Sequence, residues 1–107
     1  MDVVSVFYML DLTLLQLKVL WEISKKPRCG YELMGLSKKR ITQGTMYPLL
    51  QMLEKPGLVV GAHIGTRRKK HYRITAEGEK ILKQECRKLC AVYKEIFREY
   101  VCARCNK

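Results

Sequence analysis

The run Gly44-Thr45-Met46-Tyr47-Pro48-Leu49-Leu50-Gln51-Met52-Leu53-Glu54-Lys55, halted by Pro56-Gly57, constrains the fold more than any other part of the chain. Met46, Leu49, Leu50 and Leu53 recur at i, i+3, i+4 and i+7, the spacing of a helix with one apolar face. Thr42 stands at the expected cap, and Pro48 is tolerated because it falls within the first two turns, where few N–H bonds are lost. After the stop, Leu58 to Ile64 is apolar and β-branched, Gly65-Thr66 turns, and Arg68 to Ile74 returns, which predicts a β-hairpin. Its tip lies in the basic run Arg67-Arg68-Lys69-Lys70. Thr75 caps a further helix whose first turn carries Glu77 and Glu79, acids that complement the helix dipole. A helix leading straight into a cationic hairpin is the layout of a winged helix-turn-helix, mainly α with a small β-hairpin (α+β).

Upstream, Leu12, Leu14, Leu15, Leu17, Val19, Leu20, Trp21 and Ile23 predict a strongly apolar helix with Asp11 as N-cap. It should end near Ser24-Lys25-Lys26, because Pro27 disfavours helix at the preceding residue. Gly30 to Leu36 reads as a second, shorter helix, and Ser37-Lys38-Lys39-Arg40-Ile41 as a polar connection. The last helix stays apolar on one face through Tyr100 and Val101. At roughly 27 residues it would be about 40 Å long, more than a three-helix body can cover. Leu82, Leu89, Tyr93, Ile96, Phe97 and Tyr100 on its stripe therefore predict a second copy of the chain as their cover. Residues 1–75 read as the helix-turn-helix unit and 76–107 as a dimerisation helix with a cysteine-containing tail.

The formal net charge of +11 is unevenly spread. Residues 1–37 balance four cations with four acids, 38–73 hold nine cations and one acid, and 74–107 hold eight and five. An excess focused on the presumed reading helix and hairpin favours a polyphosphate partner over a mixed solvated surface. The apolar N-terminus does not read as a signal or anchor: Met1-Asp2 is acidic, Asp11 interrupts the run, and its length falls short of the about 20 residues of a membrane span. The expected location is the cytoplasm, without membrane attachment. Five cysteines, an odd number, argue against a closed disulfide framework.

Gly30-Tyr31-Glu32-Leu33, the Gly44 to Leu50 motif, Leu53-Glu54-Lys55, Gly57-Leu58-Val59 and Tyr72-Arg73-Ile74-Thr75-Ala76-Glu77-Gly78 together resemble the PadR-like winged-helix transcription regulators, in their short form with one C-terminal dimerisation helix. The resemblance spans about residues 10–82. Gln43 departs from it, standing where the family often has Pro, as does Pro56 in place of the usual acid before Gly-Leu. The resemblance implies a homodimeric transcription factor, usually a repressor, on an inverted repeat of double-stranded DNA. It also implies that a small aromatic effector can enter near the dimer interface, here close to Tyr93, Phe97 and Tyr100, and weaken DNA binding.

The DNA-contacting set expected from the residues is Lys38, Lys39, Arg40, Thr42, Gln43, Gly44, Thr45, Tyr47 and Gln51, with Arg67, Arg68, Lys69 and Lys70 in the wing. Gln pairs bidentately with adenine, Thr and Tyr reach phosphates or thymine methyls, and cations at a hairpin tip straddle phosphates. The plain alternative for Tyr47 is a packing role. His63 and His71 read as strand-surface residues, lacking a third metal ligand. Cys102 and Cys105 have zinc-ligand spacing and Cys86 and Cys90 sit one helical turn apart, but about 24 Å of helix separates the pairs, so no metal or cofactor is assigned. There is no phosphate loop, no His-Glu-x-x-His and no pair of embedded carboxylates, so the chain does not read as an enzyme. The competing reading is a winged module that engages protein or RNA.

Overall fold

In a computed structural model of the chain, residues 12–38, 41–63 and 69–102 are described. Helix α1 spans Leu14–Lys25, β1 Arg28–Cys29, α2 Gly30–Leu36, α3 Gln43–Glu54, β2 Val59–His63, β3 Lys70–Ile74 and α4 Ala76–Phe97, which runs on as a π-helical segment, Arg98–Cys102. The winged helix-turn-helix expected from the sequence is the fold observed, with a long C-terminal helix.

Two local expectations need correction. The N-cap of α1 is Thr13, not Asp11, which itself lies outside the described residues: the Thr13 hydroxyl accepts the Gln16 N–H and the Gln16 side chain accepts the Thr13 N–H, a complete capping box. Thr42 is the N-cap of α3 by backbone geometry, yet its side chain makes no capping bond; its carbonyl accepts from Thr45 and Met46.

The hairpin is joined by a third strand absent from the sequence reading. β1 pairs antiparallel with β3, Arg28 opposite Tyr72 and Cys29 opposite His71, giving the order β1-β3-β2. Arg28 is anchored through its Nε, which donates to the Glu22 carbonyl at 2.9 Å. Across the hairpin, Val59 faces Ile74 and His63 faces Lys70. His71 is one residue on from Lys70, so His63 and His71 point to opposite faces and do not meet.

The core forms where α1, α2, α3 and the base of the hairpin meet. Leu20, Ile23, Met46, Leu50, Leu53 and Val59 are fully enclosed, and Leu33, Leu58 and Tyr72 close the cluster. The i, i+3, i+4, i+7 face of α3 is thus its buried face. Burial of the Tyr72 ring pushes its phenol above the ordinary range.

Two junctions fix the hairpin on the helices. At the first, Gly57 adopts φ +85° to turn the chain out of α3, a conformation suited to glycine. Thr75 then binds this turn: its N–H donates to the Leu58 carbonyl at 3.0 Å, its hydroxyl donates to the Gly57 carbonyl at 2.6 Å, and the same oxygen accepts the Gly78 N–H at 3.0 Å, capping α4. Gly78 is so close that a Cβ there would collide with the Leu58 carbonyl oxygen and lie 2.7 Å from Ile74 Cγ1. At the second, Glu54 at the end of α3 accepts from Lys70 Nζ at 2.9 Å and from the Gly61 N–H at 3.2 Å. The Lys70 hydrogen bond, outweighing burial, holds the Glu54 carboxyl below its ordinary value of 4.5, and the same bond raises Lys70.

Gly78→Ala should destabilise the fold by about 1–3 kcal/mol through overpacking against rigid backbone, although alanine is ordinarily the better helix former. Gly35→Ala, with nothing within 4 Å of the added methyl, is the control and should be neutral or stabilising. Urea denaturation midpoints measure both. A second prediction concerns acid stability. Because the folded Glu54 pKa is depressed, its contribution is complete above the unfolded value and is lost as pH falls through the folded one; the raised Lys70 preserves it up to the alkaline side. Glu54→Gln should therefore cost about 0.5–1 kcal/mol at neutral pH, as for a half-exposed pair. As pH falls through the folded Glu54 value the two proteins should converge in melting temperature.

Candidate nucleic-acid interface

The polar side of α3 is uncovered. Gln43, Gly44, Thr45 and Gln51 are exposed, while Met46, Leu49, Leu50 and Leu53 hold the helix to the core. Tyr47 divides its allegiance. Its side chain is part of the exposed face at 41% relative accessibility, yet its ring edge lies against Gly30, where a Cβ would come within 3.1 Å of Cε1. The Tyr47 side chain is thus packed at one end and exposed elsewhere. Gly44 differs from Gly78 in kind: a Cβ at Gly44 would meet only Thr42 Oγ1, at 4.0 Å, so the fold does not require glycine there.

The approach to α3 is a tight reversal. α2 ends at Ser37, whose hydroxyl donates to the Met34 carbonyl at 2.6 Å and accepts the Ile41 N–H at 3.3 Å. Lys38 follows with φ 57°, a left-handed conformation uncommon for a residue with a side chain, and its N–H bonds back to the Gly35 carbonyl at 3.0 Å. Lys38 is exposed, beside the start of the connection to α3; Lys39 and Arg40 lie outside the described residues. The N-cap side chain of α3 makes no bond to the helix, and residues 42–45 at its start are exposed.

The wing contributes cations of two sorts. Lys69 is exposed, with Nζ 5.1 Å from the centre of the Tyr31 ring, which itself stands out from α2. Lys70 points inward to Glu54 and over the Tyr72 ring at 5.3 Å. Its charge is already matched inside the protein. Arg67 and Arg68 fall in the segment 64–68, outside the described residues. Tyr31 is not among the DNA-contacting residues expected from the sequence, because only the fold brings Lys69 to its ring.

Behind the interface, α4 leaves the body quickly. Glu85 is its last fully buried residue, accepting the Leu12 N–H at 2.7 Å with Lys88 3.2 Å from its other oxygen. Leu82 packs against the chain's own core and Leu89 and Phe97 are half-buried, whereas Tyr93, Ile96 and Tyr100 are 57%, 51% and 69% exposed. Tyr93 and Phe97 stack on each other, ring centres 5.4 Å apart. Cys86 and Cys90 are exposed free thiols; Cys102 ends the π-helical segment, and Cys105 lies outside the described residues. Among the described residues no helix is long and apolar enough to cross a membrane.

Comparison with known proteins agrees with this architecture. The family model described as the transcriptional regulator PadR-like family matches residues 19–84. The structure of smu.1704 from Streptococcus mutans UA159 is similar at TM-score 0.66 and 34% identity, over 76% of this chain and 79% of that one. A PadR family transcription regulator from Clostridium difficile R20291 is similar at TM-score 0.64 and 27% identity, over 77% of this chain and 96% of that one. The transcriptional regulator BldR from Sulfolobus solfataricus shares the fold at TM-score 0.77 and 22% identity, over 88% of this chain and 67% of that one. No curated protein matches the sequence. With more than half the chain matched and the helix-turn-helix, wing and long last helix all in place, this chain belongs to the PadR-like family of transcriptional regulators.

Proposed function

We propose that the protein is a homodimeric repressor that binds an inverted-repeat operator and regulates transcription in the cytoplasm without catalysing a reaction. The observation that carries this reading is the two-sided character of α3: its apolar face is spent on the core, and Gln43, Gly44, Thr45, Tyr47 and Gln51 remain for a partner. Helix and wing together hold eight more cations than acids, which suits phosphates on either side of a groove. Gln43 and Gln51 offer bidentate pairing to adenine, Thr45 and Tyr47 a methyl or phosphate contact, and Thr42 with Lys38, Lys39 and Arg40 a grip on the backbone before the helix enters. In the wing, Arg67, Arg68 and Lys69 serve as phosphate contacts, with Lys70 bracing the strand through Glu54.

Reading and pairing fall to different parts of the chain, DNA contact to residues 1–75 and the joining of two copies to residues 76–107. Tyr93, Ile96 and Tyr100 face outward along the part of α4 that its own body leaves bare, and Leu82, Leu89 and Phe97 flank them. A two-fold axis along this helix would set the reading helices about 34 Å apart, one turn of duplex. The aromatic cluster of Tyr93, Phe97 and Tyr100 beside that axis suits a small planar effector that shifts the spacing of the two reading helices.

Two measurements test the proposal. In salt-dependent binding to operator and random duplex, Gln43→Ala should reduce discrimination by about 1–3 kcal/mol, whereas the Arg67→Ala and Arg68→Ala pair should weaken both duplexes alike and flatten the salt slope. Parallel losses on both duplexes with Gln43→Ala would remove it from base reading. Analytical ultracentrifugation of the full chain carrying Tyr93→Glu and Ile96→Glu should show a folded monomer. A dimer that persists would place the interface elsewhere.

A further inference from the structure

At the corner where β1 becomes α2, Cys29 and Glu32 meet a third residue of metal-binding type, His71, which the sequence holds far from them. Cys29 lies directly opposite His71 in the β1–β3 ladder, so their side chains share a face of the sheet. Glu32 reaches the same place from the first turn of α2, its Oε1 accepting the Cys29 N–H at 3.2 Å and lying 3.6 Å from His71 Nε2. One ligand atom from each of the three lies within 4.8 Å of the others. Cys29 is buried, while the Glu32 and His71 side chains are 38% and 26% exposed, leaving one side open to solvent. His71 Nδ1 is buried and makes no hydrogen bond, an uncompensated polar atom in an otherwise well-bonded corner.

We propose that Cys29, Glu32 and His71 form a binding site for a borderline divalent transition-metal ion, with Zn²⁺ the best match. A thiolate, an imidazole and a carboxylate are a donor set that zinc accepts and that magnesium and calcium do not favour. Zinc bonds of about 2.0–2.3 Å put tetrahedral donors about 3.3–3.8 Å apart, so side-chain rotations of about an ångström close the present arrangement. On binding, the Cys29 thiol releases its proton to solvent, its sulfur bonds the ion, and a water completes the tetrahedron on the exposed side; no electron changes hands. The backbone places two of the ligands: the strand register sets Cys29 against His71, and the first turn of α2 sets Glu32 beside Cys29. The bound ion ties the first turn of α2 to β3, joining helix-turn-helix and wing at a point independent of Glu54–Lys70.

Cobalt(II) titration of the reduced full-length chain tests the site, read by the thiolate-to-cobalt charge-transfer band. The decisive chain carries serine at Cys86, Cys90, Cys102 and Cys105, leaving Cys29 as its one thiol of five. It should bind one equivalent of Co²⁺ with a thiolate band, which Zn²⁺ displaces. Cys29→Ser in that chain should abolish the band. Because Cys29 is buried, His71→Gln and Glu32→Gln supply the second arm: with circular dichroism unchanged, each should weaken Co²⁺ binding by roughly tenfold or more. A band seen in the unsubstituted chain but lost in the four-serine chain would place the metal on the C-terminal thiols and overturn the proposal. So would unchanged affinity in the His71 and Glu32 variants.

Discussion

The geometry of the whole molecule hangs on the contact between the Leu58 carbonyl and the start of α4. That oxygen accepts the Thr75 N–H, lies 3.1 Å from the Thr75 hydroxyl, and rests against the bare Cα of Gly78. The exit from α3, the closure of the hairpin and the direction of the last helix thereby become one decision. A bulkier residue at Gly78 would lift α4 away from the hairpin base. The left-handed turn at Gly57 serves the same end, bringing the Leu58 carbonyl round to where Thr75 can reach it.

Cations in the helix and wing fall into distinct physical situations despite looking equivalent in sequence. Lys70 is committed to Glu54 and Lys69 hovers over Tyr31, whereas Lys38 stands exposed on a left-handed backbone. The same holds at the first helix. Glu22 gathers Lys18, Lys25 and Arg28, and both lysines also lie over the Trp21 ring, 4.1 and 3.5 Å from its centre. Those three cations share a single carboxylate.

Legibility followed how local the determining interactions are. The buried face of α3 could be read because four residues at helical spacing carry it, and the Thr75 cap because the accepting hydroxyl and the donating N–H are three residues apart. The Thr13-x-x-Gln16 box is equally local and follows the standard capping pattern, which outweighs Asp11 as a cap. β1 was of another kind. Two residues carry no alternation, and Arg28–Cys29 is a strand only because Tyr72 and His71 arrive beside it from more than forty positions away. The Cys29–Glu32–His71 corner was hidden for the same reason, since only the ladder brings His71 to the other two. The split role of Tyr47 was open in sequence because its ring contact is with Gly30, on another helix.

Under the proposed function, the Tyr47–Gly30 contact couples buried position 30 to the face of α3 that meets DNA. Gly30 is buried, yet the smallest added side chain would come within 3.1 Å of Tyr47 Cε1 and 3.3 Å of its hydroxyl oxygen, on a side chain that is otherwise exposed. In the proposed function, a side chain added at position 30 would act on recognition indirectly, by displacing Tyr47.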